Sequence, residues 1–245
     1  MNQKDTLVRT TLRIPGKWSH PRELFERIPA GFRLTPEALL LPDHTEIEFT
    51  PMPPDDQFAH IFKSACRQSA ADDELEILDR YTVNVVLTGP GGSMTAALTM
   101  LRAGAAIVRA GGAGVFIDNS GVAHGGRQWI EMAEDGSPDA VSFAFVGIVR
   151  GRQDVWTMGM HVMGLPDLVM RCSDADADGD KIIDAVRYLC DGGKPIGEGH
   201  VLADEGGPRF RAVATGSHEL AAGSPMHNPV GRLKLVSIKD IAESN

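Results

Sequence analysis

Residues 81–112, YTVNVVLTGPGGSMTAALTMLRAGAAIVRAGG, decide the fold because they join a strand, a glycine-rich turn and a long helix. Tyr81–Leu87 is rich in β-branched and apolar residues, which favours a strand. From Ser93 to Ala110 the apolar residues recur every three or four positions, which predicts an amphipathic helix. Gly111-Gly112 follows at the position where glycine commonly ends a helix in the left-handed conformation.

Before this stretch, residues 1–88 predict the order strand, helix, strand, strand, helix, strand. The clearest helix covers Phe58–Cys66, where apolar side chains fall on one helical face. The acidic run Asp72-Asp73-Glu74 is interpreted as a connector that leads to the strand at 81–87. This order is typical of a ferredoxin-like unit, in which two helices cover one face of an antiparallel sheet.

After Gly112, the sequence predicts a strand at 114–118, a short helix around Trp129, long strands at 141–149 and 155–162, and a helix near 182–190. The predicted fold class is α+β, with mainly antiparallel sheets covered by helices. We expect two closely packed ferredoxin-like halves, residues 1–88 and a glycine-rich half at residues 89–245.

Composition and charge exclude several classes of protein. The chain carries 24 Lys+Arg against 33 Asp+Glu, a net charge of -9, which argues against a nucleic-acid partner. Arg102 and Arg109 interrupt the most apolar window, so no membrane span is predicted. The start of the chain is polar, and we expect a cytoplasmic protein. Widely spaced cysteines indicate reduced thiols and no zinc framework: Cys66, Cys172 and Cys190.

The glycine-rich turn is one candidate anion site. Backbone amides of Gly91, Gly92 and Ser93 precede the long helix, and amides at a helix N-terminus can hold a phosphate. A phosphate-binding loop, however, needs a lysine after its last glycine, and this chain has Ser93-Met94 there. The alternative interpretation is a tight turn in which Ser93 caps the helix.

A second candidate is a cation site in the acidic run at 174–180. Asp174, Asp176 and Asp178 match the first positions of a calcium loop. Ala185 stands where such a loop needs a bidentate glutamate, so the match is partial. Carboxylates that begin a helix also stabilise its positive end, which is the alternative role.

The third candidate combines histidines with carboxylates. In the strand predicted at 155–162, His161 lies on the less apolar face, where a ligand could approach. The other members lie in or beside glycine-rich loops, but no metal-ligand spacing unites them. No cofactor is predicted. The candidate ligand site comprises Asp118, His124, His161, Glu198 and His200.

Two segments carry a family resemblance. Trp156–Met160, followed by Gly164–Leu168, resembles an uncharacterised bacterial family, the domain of unknown function 4261 group. Ala96–Gly121 is similar to that family as well. The resemblance covers about the last two thirds of the chain. It implies an α+β domain without an established activity, and it supplies no catalytic residues.

The leading hypothesis is a non-catalytic binding module for a small ligand or a protein partner. The alternative is a hydrolase-like enzyme in which His124, His161 or His200 works with Asp118 or Glu198, with or without a metal. A second alternative is a domain that calcium stabilises at its acidic run.

Overall fold

The computed structural model describes residues 8–175, 179–192, 196–203, 209–216, 220–221 and 223–238. In this part of the chain, seven α-helices, one 3-10 helix and thirteen strands form an α+β fold, which confirms the predicted class. The strands are β1 (Arg9–Gly16), β2 (Arg33–Leu34), β3 (Ala38–Leu40), β4 (Glu46–Met52), β5 (Val83–Pro90), β6 (Gly114–Ile117), β7 (Val122–Gly125), β8 (Gly147–Arg150), β9 (Asp154–Met158), β10 (Asp167–Arg171), β11 (Val201–Ala203), β12 (Arg209–Thr215) and β13 (Arg232–Ser237). The helices are α1 (Pro21–Arg27), α2 (Phe58–Ala65), α3 (Asp72–Asp79), α4 (Met94–Arg109), α5 (Gly126–Asp135), α6 (Pro138–Phe145), the 3-10 helix (Met160–Met163) and α7 (Asp180–Cys190).

The strands form two sheets. The first has the order β2-β3-β4-β5-β1-β6-β7, and its neighbouring strands are antiparallel. The second has the order β11-β12-β13-β10-β9-β8, in which β10 and β13 are parallel and the other pairs antiparallel. Mostly antiparallel sheets are thus confirmed, whereas two ferredoxin-like halves are not. Strand β1 lies between β5 and β6, and β5 itself runs across residues 88 and 89.

Helix α4, which the sequence predicts over 93–110, forms the centre of the core. The Ser93 hydroxyl accepts a hydrogen bond from Ala96 N at 3.1 Å, which caps its first turn. The helix contacts β1, β5 and β6 of the first sheet, and it also contacts α5, α6 and the 3-10 helix. Because neighbours surround it, even Gly104 is buried. No helix of the described residues is long and apolar enough to cross a membrane.

Gly104 supports a close contact between α4 and α5. A β-carbon at this position would lie 2.7 Å from Trp129 Nε1, and that indole is fully buried and donates to Leu101 O at 3.0 Å. In an exposed helix, alanine would stabilise by about 1 kcal/mol relative to glycine. We expect Gly104→Ala to destabilise instead, by about 1–3 kcal/mol, because the rigid ring must shift.

Urea unfolding of Gly104→Ala measures this change in free energy. Arg102→Ala is the matched control, since Arg102 lies on the exposed side of the same helix. We expect the control to stay within about 0.5 kcal/mol of the unsubstituted protein. A Gly104→Ala protein that is more stable than the unsubstituted one would contradict the packing described.

Two local predictions were wrong. Residues 138–145 form helix α6 where a strand over 141–149 is predicted, because Ser137 caps the helix by accepting from Ala140 N at 3.2 Å. The acidic run at 72–74 begins helix α3 and is no mere connector. Glu74 accepts from Ala71 N at 2.9 Å, and three carboxylates lie in the positive first turn.

Candidate functional site

His124 is a core residue on β7. Its side chain is fully buried, with Nε2 3.0 Å from Ala144 O and Nδ1 3.0 Å from the side-chain amide of Gln128. The ring also packs against Trp129 and Phe143. Burial lowers the pKa of His124 to about 4, and the nearby charge of Arg67 acts in the same direction. The neutral imidazole has a single N–H, which Ala144 O or Gln128 Oε1 accepts, and the buried ring fills the core.

His161 lies in the 3-10 helix, so the strand predicted over 155–162 is wrong beyond Met158. Gly159 takes a φ of 95°, and a β-carbon there would overlap the carbonyl oxygen of Phe145. His161 is only 2% exposed, and its Nε2 lies 3.0 Å from Pro225 O and 3.1 Å from Asn119 Nδ2. Burial lowers the pKa of His161 to about 4.

The other three predicted residues lie elsewhere. Asp118 pairs with Arg13 at 2.7 Å, and this hydrogen bond raises the pKa of the guanidinium. Glu198 and His200 are exposed, and Gly197 N donates to Nδ1 of His200 at 3.1 Å. No hydrogen bond joins any two of the five predicted side chains in the described part of the chain. Their hydrogen bonds go to other residues, and a shared site stays a prediction.

The glycine-rich turn is packed against other backbone. Gly91 N donates to Val8 O at 3.0 Å, and Gly92 N donates to Val162 O at 2.9 Å. Ser93 caps α4, as the alternative interpretation predicts. Because carbonyl oxygens occupy both glycine amides, neither amide is available to an anion.

The acidic run is only partly within the structure. Asp176 and Asp178 lie outside the described residues, and Asp174 N donates to Arg171 O at 2.9 Å. Among the residues that are described, no three His, Cys, Asp or Glu side chains are grouped so that they could hold a metal ion. The calcium hypothesis stays a prediction.

A buried carboxyl group on β10 escaped the sequence analysis. Asp167 is 4% exposed and accepts hydrogen bonds from Thr157 Oγ1 and Met160 N, both at 3.3 Å. Burial raises the pKa of Asp167 to about 6, although these bonds and one from Asn228 oppose the shift. The adjoining cavity measures about 10 Å³, room for roughly one water. The sequence carries one signal of this group, since an acidic residue begins the otherwise apolar run at 167–170.

A ligand-sized groove lies between α7 and the β11–β13 end of the second sheet, and we call it the α7 groove. Its volume is about 390 Å³, within the range of small-molecule sites. Its lining is mainly apolar, with Lys181 and Asp184 as its charged members. The other lining residues are Ala185, Tyr188, Val201, Leu202, Ala203, Phe210 and Leu235.

A smaller cleft lies where α6, β8 and α7 meet beside Arg67, and we call it the Arg67 cleft. Its volume is about 130 Å³. The cysteines nearby are poor nucleophiles: burial raises the pKa of Cys66 to about 11 and that of Cys190 to about 12.

No protein-family model, curated protein or solved structure matches this chain. The resemblance to the domain of unknown function 4261 group stays a prediction, and any function has to be argued from the geometry.

Proposed function

We propose that this protein is a non-catalytic binding module that takes an extended, apolar segment of a partner protein in the α7 groove. One observation carries the proposal: an edge strand and a helix border a ligand-sized, mainly apolar groove. The buried, neutral state of His124 and His161 argues against two of the three histidines of the hydrolase-like alternative, because a general base must reach a substrate proton. The third, His200, is exposed, and its Nδ1 accepts a hydrogen bond from Gly197 N.

The floor of the groove is built by strand register. Leu202 of β11 pairs with Phe210 of β12, and Ala212, two residues further on, pairs with Leu235 of β13. Since alternate residues share a face, Leu202, Phe210 and Leu235 point to the same side of the sheet. Helix α7 faces them and contributes Ala185 and Tyr188.

The open side of β11 suits an extended chain. Among the described strands β11 pairs only with β12, so its other edge can add a strand. Val201 is 53% exposed and Tyr188 48% exposed, although both are large apolar or aromatic side chains. Main-chain hydrogen bonds to β11 would supply affinity, while the apolar floor would select the side chains of the partner.

A displayed library of random peptides, screened against the full chain, tests this function. We expect selected peptides to alternate apolar and polar residues, because only every second side chain of an added strand faces the groove. N-methylation of the central amides of a selected peptide should weaken binding at least about tenfold, or about 1.4 kcal/mol, by removing main-chain donors.

Two exposed side chains provide the variants. Tyr188→Lys replaces an aromatic wall of the groove with a charge and should weaken binding of the selected peptide at least about tenfold. Val230→Lys is the control, since Val230 is 47% exposed and does not line the groove. Equal binding by the Tyr188→Lys protein, or by the N-methylated peptide, would rule out strand addition at this groove.

A further inference from the structure

A second site, independent of the proposed function, centres on Arg67, which follows α2. Its guanidinium lies over the ring of Phe143, 4.8 Å from the ring centre, and Nη1 donates to Phe143 O at 3.1 Å. Among the described residues, no carboxylate lies within ion-pairing distance of this guanidinium. Burial alone lowers the pKa of Arg67 to about 10, so its charge is held in a partly desolvated place without a counter-ion.

The other charges at the Arg67 cleft are already neutralised by each other. Arg187 binds Asp139 at 2.8 Å and lies 3.6 Å from Asp184. Asp139 is therefore engaged with Arg187 and not with Arg67. The side chains that line the cleft carry two positive charges, on Arg67 and Arg187, and one negative charge, on Asp139, because Asp184 lies outside the lining. A half-buried guanidinium has five N–H donors, and the carbonyl oxygen of Phe143 occupies one nitrogen.

The walls around this charge are apolar. Phe143 belongs to helix α6, and Val146 directly follows the end of that helix. Ile148 of β8, with Ile183 and Val186 of α7, completes the apolar wall. The volume of about 130 Å³ corresponds to roughly ten waters at about 10–15 Å³ each. A ligand of about ten non-hydrogen atoms is the upper size that fits.

A neutral histidine packs against Phe143, one of the residues that line the cleft. The ring centre of His124 lies 5.7 Å from that of Phe143, on whose ring Arg67 also packs. Burial lowers the pKa of His124 to about 4, so it adds no second positive charge that would attract a dianion. One cation beside an apolar wall is complementary to a monoanion with a hydrocarbon group.

We propose that the Arg67 cleft binds a small monocarboxylate with a short branched or aromatic group. Arg67 receives the carboxylate as a bidentate pair, and Val146, Ile148 and Ile183 contact the hydrocarbon part. The three walls come from separate elements of the chain, so the site exists only in the folded protein.

Calorimetric titration of the full chain with isovalerate and benzoate tests the site, with isovaleramide and inorganic phosphate as comparison probes. We expect both carboxylates to bind, and the neutral amide to bind at least about tenfold more weakly. Phosphate lacks the hydrocarbon group and should also bind at least about tenfold more weakly. Equal affinity for isovalerate and isovaleramide, or for isovalerate and phosphate, overturns the proposal.

Variants locate the site. Arg67→Gln should weaken isovalerate binding at least about tenfold, whereas Arg33→Gln, a change at an exposed arginine, should leave it unchanged. Ile148 is 37% exposed, so Ile148→Ser keeps the core and should weaken benzoate binding even if Arg67→Gln does not fold. Full affinity in a folded Arg67→Gln protein, or in Ile148→Ser, overturns the assignment.

Discussion

Acidification from about pH 7 to about pH 4 is expected to lower the free energy of unfolding by about 3 kcal/mol for each of His124 and His161. Burial lowers the pKa of each imidazole from 6.5 to about 4. The combined loss from both histidines is a large fraction of the free energy of unfolding of a typical domain, which is about 5–15 kcal/mol.

The direction of this effect follows from proton binding. Between a pH of about 6.5 and about 4, the unfolded chain protonates both histidines while the folded protein keeps them neutral. The unfolded state therefore binds more protons, and the stability that these residues contribute above the unfolded pKa is lost as the pH falls. Asp167 offsets part of this loss, because its shift has the opposite sign.

Urea unfolding at the two pH values measures the loss, and NMR of the imidazole protons measures the two pKa values directly. In His124→Gln and in His161→Gln, the change in the free energy of unfolding between the two pH values should shrink by about 3 kcal/mol each. The control is His60→Gln, in which this change should equal that of the unsubstituted protein because His60 is exposed. Either buried histidine titrating near its ordinary pKa contradicts the expectation.

The free energy of unfolding of Asp167→Asn is expected to rise by about 3 kcal/mol relative to that of the unsubstituted protein when the pH rises from about 4 to about 7. Burial raises the pKa of this carboxyl from 3.8 to about 6 in the folded protein. In that window the folded state binds more protons, so the contribution of Asp167 is present below the unfolded pKa and lost as the pH rises through about 6. Asparagine carries no charge to desolvate.

The measurement compares the unfolding free energies of both proteins across this range. Asp56→Asn, a change at an exposed carboxylate, controls for the loss of one negative charge from a chain of net charge -9. A constant difference between Asp167→Asn and the unsubstituted protein at all pH values would show that Asp167 titrates alike in both states.

Periodicity explains which parts of the fold could be predicted. Helices α2, α4 and α7 have long apolar faces, so their positions follow from sequence alone. Residues 141–149 are apolar without a helical period, and there the Ser137-Pro138 start signal outweighs β-propensity. Strand order depends on contacts between distant segments, which is why the place of β1 between β5 and β6 could not be predicted.

The candidate site was harder to predict than the fold. A histidine in a glycine-rich segment has the same local sequence whether it binds a ligand or fills the core, and only the contacts with Ala144 and Gln128 assign His124. The Arg67 cleft joins residue 67 to residues 139–148 and 183–187, and no motif spans such distances. Tyr188 and Val201, which line the α7 groove, stand in no motif that singles them out from the sequence.

The shared first sheet makes the two parts of the chain dependent on each other for solubility. A fragment ending at residue 88 would lose the last residues of β5, the partner strand β6 and the cover of α4. Leu12, Ile14 and Leu87, all fully buried in the whole protein, would then face water beside an open strand edge. Such an edge templates pairing with other copies, so the amino-terminal part needs the rest of the chain to avoid aggregation.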